Sequence, residues 1–231
     1  MDGGGGIAGI VSDSGYVIYD DTPGKMANLE AVRRFRNIDL AELTRLFLPY
    51  KERAQVDPGY AVDDALSDLA RQLGVDPGAV LAARRTIRVQ RQLREGVRET
   101  LVELHRRGVP FVILSDSHQT GAQMRRKYEA ELGLDHLVSD FVTSKDTGLR
   151  KPDPRMFQFA GQRIAATLGR GELPPSRVAF LGHDLDELEG AQRAGLRPLA
   201  VFFHGLREEI PFIPDADILS GFADLLRLLE S

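Results

Sequence analysis

The 231-residue chain contains no cysteine. That excludes a disulfide framework, a thiol nucleophile and a thiolate metal site, and leaves the redox compartment unread. No apolar run approaches the length of a membrane span, and Met1 to Gly6 has neither the charge nor the apolar centre of a signal peptide. A cytoplasmic protein without membrane contact is therefore expected. An excess of positive charge is also missing. The net charge of −4 argues against a partner held by general attraction to nucleic-acid phosphates. No internal repeat is visible, and the one low-complexity tract, Gly3 to Gly6, reads as a flexible leader or cloning scar. Lysine is scarce: Lys25, Lys51, Lys127, Lys145 and Lys151 stand among 30 basic residues.

What is present is globular. Apolar residues make up 42% and charged residues 28%, and the length suits one large α/β domain, or a core domain with a smaller insertion. Ile7 to Val11 is a short apolar run that ends on Asp13, which reads as a buried strand delivering a carboxylate to the lip of a sheet. Lips of open α/β sheets bind ligands. Asp13 taken alone also fits a simple turn residue. Tyr16 to Tyr19 alternates and predicts a tight turn and short hairpin, and Asp21-Thr22-Pro23-Gly24 is strong turn chemistry.

From there to about residue 109 the pattern is helical. Met26 to Phe35, Leu40 to Tyr50, Val62 to Leu73 and Ala79 to Gln90 carry apolar residues at helical spacing, with Asp57-Pro58-Gly59 and Asp76-Pro77-Gly78 between them. Residues 22–92 are expected to form a helical insertion standing over the sheet as a lid, with 1–21 and 93–231 forming the core. In the core, helix and strand alternate. Helix Val97 to Arg107 is followed by strand Val109 to Leu114 and by Ser115-Asp116-Ser117-His118 at its end. Helix His118 to Leu132 precedes strand Asp140 to Thr143, then the loop Gly148-Leu149-Arg150-Lys151-Pro152-Asp153-Pro154 and helix Arg155 to Leu168. Strand Arg177 to Leu181 ends in Gly182-His183-Asp184-Leu185-Asp186-Glu187. A helix to Gly195, a strand Pro198 to Phe203 and a helix Phe222 to Leu229 complete the chain. Such alternation implies a doubly wound parallel sheet.

Four strand ends in order thus present Asp13, Ser115, Lys151 and an acidic cluster. In this order and spacing the chain resembles the haloacid dehalogenase superfamily, in the branch with a helical cap inserted after the first motif. The resemblance rests on Asp13 with Ser14-Gly15-Tyr16-Val17, on Ile113-Leu114-Ser115-Asp116-Ser117, on Lys151-Pro152-Asp153-Pro154 and on Phe180 to Gly195. It implies a Rossmann-like α/β core with an all-helical cap, and a magnesium-dependent phosphatase acting on a small phosphorylated substrate. Asp13 would be the nucleophile, Ser115, Asp116 and Lys151 the phosphate ligands, and Asp13, the Gly15 carbonyl and Asp184 the metal ligands.

The physical chemistry is coherent with that expectation. A carboxylate attacking phosphorus gives an acyl phosphate and splits one displacement into two. Asp13 and a phosphate repel by about 4 kcal/mol per charge pair at ~4 Å and an effective dielectric of ~20, so the site needs cations. Lys151 and a magnesium ion would supply them, and N–H groups from Asp116 onward would hold equatorial oxygens. The plain alternatives are that Ser115 caps a strand end, that Lys151 is a solvated loop residue, and that the cap carboxylates form a solvated face. His118 and His136 have no assigned role.

Two positions depart from the family pattern. Gly15 stands where most of its phosphatases carry a second aspartate that protonates the leaving group, a contribution of roughly 10²- to 10⁴-fold. His183 stands in the slot of the principal metal carboxylate, and neutral imidazole is a poor magnesium ligand. Adjacent Asp184 is the expected substitute, with Asp186 or Glu187 holding waters around the ion. Two further hypotheses follow: attack of Asp13 on carbon, as in 2-haloacid dehalogenation without metal, or a fold member with impaired catalysis that binds a ligand or partner. The motif of that dehalogenase branch, with its serine and asparagine, is not found in Gly182-His183-Asp184. Arg33, Arg34, Arg84 and Arg85 are candidate readers of a substrate anion, or else surface charges.

Overall fold

A computed structural model describes residues 6–201 and 216–230. Six strands, β1 (Gly9–Ser12), β2 (Phe111–Ser115), β3 (Asp140–Thr143), β4 (Val178–Gly182), β5 (Arg197–Val201) and β6 (Asp217–Leu219), form one sheet in the order β3-β2-β1-β4-β5-β6. All five pairings are parallel. β1, β2 and β4 are buried along their whole length, which is why they read as continuous apolar runs. Side-chain alternation still divides them. Ile10 and Ile113 face a cluster with Leu101, Leu104, Tyr128 and Phe222, while Val11 and Val112 face Met156, Phe157, Ile164 and Leu188.

The first face is covered by α5 (Val97–Arg106), α6 (Gly121–Lys127) and α10 (Asp224–Leu228), the second by α8 (Pro154–Thr167) and α9 (Leu185–Arg193). A one-turn α7 (Ser144–Thr147) follows β3 directly. The helical cap consists of α1 (Thr22–Arg33), α2 (Leu40–Val56), α3 (Val62–Gln72) and α4 (Pro77–Thr86). It has an apolar centre of its own, with Val32, Leu43, Phe47, Leu66, Leu69 and Val80 buried together. Asp39 and Asp76 accept backbone N–H groups at the starts of α2 and α4, the capping expected of aspartate before a helix.

The cap leaves and rejoins the core at one place. Asp20 N–H donates to Gln92 O at 3.0 Å and Arg94 N–H to Ile18 O at 3.0 Å, tying the two connections side by side. The hairpin expected at Tyr16 to Tyr19 is instead a turn closed by a single bridge between Gly15 and Tyr19. Tyr16 has φ 65°, and at that left-handed position an alternating strand cannot continue. The helix expected from His118 starts only at Gly121, because Thr120 caps it, and it loosens to wider turns over Tyr128–Leu132. β6 and α7 were not expected. Of the strand expected over Pro198 to Phe203, residues 202–203 lie outside the described residues, as does most of the glycine run. No helix among the described residues is long and apolar enough to cross a membrane.

Candidate active site

Strand order reverses at β1, so the carboxyl ends of β1, β2 and β4 open on one crevice. The cap closes over it and leaves a cavity of about 770 Å³. Asp13, Ser115, Asp116, Lys151, His183, Asp184 and Glu187 all line this cavity, as does Gly15. The sequence-predicted residues are therefore brought together.

Asp13 is only 6% exposed. Its N–H bonds to Leu181 O at 2.9 Å, which anchors it as a continuation of β1. Lys151 Nζ lies 2.5 Å from Asp13 Oδ1 and 2.8 Å from Glu187 Oε1. Burial alone would push the Lys151 ammonium down, but Asp13, Glu187 and Asp116 overrule it and hold the group above its ordinary range. One ammonium between two carboxylates leaves a deficit of positive charge. It falls on Glu187, which burial pushes up to about 8 against the pull of Lys151.

His183 Nδ1 stands 3.6 Å from Asp13 Oδ2, too far for a hydrogen bond, and has no hydrogen-bond partner among the described residues. Burial lowers its pKa despite the Asp13 charge, so the ring is neutral at neutral pH. Its ring centroid lies 5.6 Å from that of Tyr16, with the two rings tilted at 54°. Behind Asp13, the Ser14 hydroxyl meets Tyr128 OH at 2.8 Å and Tyr19 OH at 3.2 Å, a buried hydroxyl cluster that fixes the turn. Asp116 accepts the Lys151 N–H at 3.1 Å and so holds the lysine loop to the end of β2. Burial raises the Asp116 pKa, with Lys151 opposing.

The cap reaches this floor through α2. Gln55, buried, donates to Asp116 O at 3.0 Å, and Glu52 pairs with Arg150 at 3.0 Å. The Lys145 ammonium on α7 donates to Ala54 O at 3.1 Å, to Tyr60 O at 2.8 Å and to Asp57 O. Lys51 faces the same cavity.

A family model described as hydrolase, haloacid dehalogenase-like hydrolase, matches residues 17–195. The chain belongs to this family. Among curated relatives of this family, (S)-2-haloacid dehalogenase 4A of Burkholderia cepacia is 28% identical over 131 residues, 57% of this chain and 52% of that protein. Phosphoglycolate phosphatase of Pectobacterium atrosepticum is 26% identical over 134 residues, 58% of this chain and 53% of that protein. The chain thus spans about half the length of the curated relatives it matches. A solved 2-haloacid dehalogenase from Pseudomonas syringae pv. Tomato shares the fold with a TM-score of 0.68 and 19% identity, covering 97% of this chain and 98% of that one.

Within this haloacid dehalogenase-like hydrolase, the residues do not assemble a fit for magnesium. No group of three or more acidic or histidine side chains able to hold a metal ion occurs among the described residues. Asp184, the expected substitute ligand, is exposed, and its carboxylate caps α9 by accepting the Asp186 N–H at 3.0 Å. Asp186 is exposed as well, and Glu187 gives Oε1 to Lys151 while its buried Oε2 has no hydrogen-bond partner among the described residues. In the slot beside Asp13 stands the unpaired nitrogen of His183, a donor magnesium takes poorly.

Sequence reasoning missed Glu187 as the second partner of Lys151, Gln55 and Lys145 as cap-to-core groups, and Lys51 as a cap residue facing the cavity.

Proposed function

We propose that this hydrolase uses Asp13 to displace a halide from carbon in a small carboxylic acid, the reaction type of 2-haloacid dehalogenation. The observation that carries the reading is the make-up of the site around Asp13: a buried lysine as its cation, a neutral histidine in place of a metal carboxylate, and glycine in place of an acid. Both departures have one explanation. A halide leaves without a proton, so no acid is needed at Gly15, and a singly charged substrate needs less compensation than a phosphate dianion. Residues 22–92 act as the cap over a core of 1–21 and 93–231.

In the first step an Asp13 carboxylate oxygen bonds to carbon as the carbon–halogen bond breaks, and the halide departs with the bonding pair. The product is an ester of Asp13. Water then adds at the ester carbonyl, and collapse releases the 2-hydroxy acid and restores the carboxylate. The neutral His183 ring beside Asp13 is placed to take the proton of that water. Lys151 balances the charge of the Asp13 carboxylate through their 2.5 Å contact, and Ser115 with the N–H groups that follow it holds the substrate carboxylate.

A second reading, hydrolysis of a small phosphate monoester through an aspartyl-phosphate with magnesium, is favoured by the cations lining the cavity and by the phosphatase among the relatives. One experiment separates the two. Chloride release from 2-chloropropionate and hydrolysis of p-nitrophenyl phosphate are each assayed with magnesium and with chelator, using Asp13→Asn as control. Chelator-insensitive chloride release, reduced more than about 10³-fold in the variant, is expected. Phosphate release that requires magnesium, with no chloride release, would establish the second reading instead.

A further inference from the structure

The cavity is far larger than a three-carbon acid requires, and falls in the range of roughly 300–1,000 Å³ that holds drug-sized ligands. Its charge is not balanced locally. Asp21 is bound by Arg91 Nε at 2.9 Å, and Asp116 by the Lys151 N–H at 3.1 Å, with Arg150 Nε 3.8 Å away. Arg150 is in turn matched by Glu52 at 3.0 Å. On the cap side that leaves the ammonium groups of Lys51 from α2 and Lys25 from α1, with the Arg84 and Arg85 guanidinium groups of α4 lining the cavity as well, Arg84 donating to Asn28 Oδ1 at 2.6 Å. Among the described residues neither ammonium has a hydrogen-bonded or ion-pair partner, and Lys25 only rests over the Tyr16 ring, 4.2 Å from its centroid.

We infer that Lys51, with Lys25 beside it, forms a subsite for a second anionic group of the substrate, a carboxylate or phosphate at the end remote from the atom Asp13 attacks. The inference rests on the proposed reaction only for which end of the substrate reacts.

Three features support it. Lys51 is half-buried, and burial followed by the charges of Lys25 and Arg150 lowers its pKa against the weaker pull of Asp21 and Asp116, so an anion placed there relieves the remaining cost. The residues around it form the best-anchored stretch of the cap: Glu52, Ala54 and Gln55 each bond to the core. Lys51 is consequently presented from a fixed piece of helix. Finally, a partly enclosed cavity weakens the competition of water for such a contact, so a charge-assisted bond there is stronger than on open surface.

The test is binding, which does not depend on turnover. Succinate, with two separated carboxylates, and butyrate, with one, are titrated calorimetrically into the wild-type protein, Lys51→Met and Lys51→Arg. Wild type is expected to bind succinate at least about tenfold more tightly than butyrate. Lys51→Met removes that preference, and Lys51→Arg keeps most of it. Equal affinities for the two acids in wild type, or an undiminished preference in Lys51→Met, would overturn the subsite. Chloride release and this preference are independent readouts, so either the proposed reaction or the subsite can fail without the other.

Discussion

At the scale of single residues, the cavity owes its character to groups whose ionisation is set by burial rather than by type. His118 lines its wall, and burial, with the Lys127 charge adding, moves it from an ordinary 6.5 to about 4. Burial likewise lowers Lys127 to about 8, and its ammonium donates to Tyr19 OH at 2.7 Å. The sign of the His118 effect follows from linkage. Above 6.5 the ring is neutral in both folded and unfolded chains, and its contribution is intact. As pH falls from 6.5 to about 4 the unfolded chain takes up a proton that the folded one refuses, so stability is lost. The loss totals roughly 3 kcal/mol at about 1.4 kcal/mol per unit. Urea unfolding of wild type and His118→Gln at pH 7.5 and pH 4.5 should show the difference, because the glutamine variant lacks this proton uptake while every other group titrates as before. Equal losses in the two proteins would mean that His118 is solvated in the folded state.

At the scale of elements, the decisive contact is between α7 of the core and the carboxyl end of α2. A helix ends with unsatisfied carbonyls, and here a lysine from another part of the chain supplies the donors for Ala54, Asp57 and Tyr60. Replacing that ammonium with an apolar chain removes charge-assisted bonds that typically contribute about 1.5–3 kcal/mol. Lys145→Met should therefore speed hydrogen exchange of α2 amides by roughly 10- to 100-fold, while the amides of β1, β2 and β4 exchange as in wild type. Uniform acceleration across the chain would show instead that cap and core open as one unit. None of this latch was legible in sequence. The helices themselves were, because apolar spacing and the aspartates before α2 and α4 are local signals. Lys145 and Gln55 act on groups 61–91 residues away, and nothing in their own neighbourhoods marks them.

At the scale of the whole molecule, the site is a meeting of the carboxyl ends of β1, β2 and β4 with the loop that carries Lys151, and the strand ends could be read from the chain, since continuous apolar runs ending in Asp13, Ser115 and Gly182 announce buried parallel strands. How the loop carrying Lys151 is held against α9 could not be read, because it depends on a close approach between segments about 40 residues apart. Gly190 makes that approach possible. A Cβ there would stand 2.6 Å from Pro152 O and 2.9 Å from the Phe157 ring, so the backbone next to Lys151 would have to move. Gly161 on α8 is the matched control, since a Cβ at that position meets nothing within 4 Å. Overpacking of a fitted contact costs about 1–3 kcal/mol, which for a chain of this size lowers Tm by roughly 2–10 °C. Gly161→Ala should be neutral or stabilising by up to about 1 kcal/mol, because alanine suits a helix interior better than glycine. Gly190→Ala should also lower kcat through displacement of the Lys151 ammonium from Asp13, and Gly161→Ala should leave kcat unchanged. Thermal unfolding and chloride release measured on both variants decide the matter: a Gly190→Ala protein with wild-type Tm and kcat would mean that the lysine loop yields without cost and that α9 does not position it.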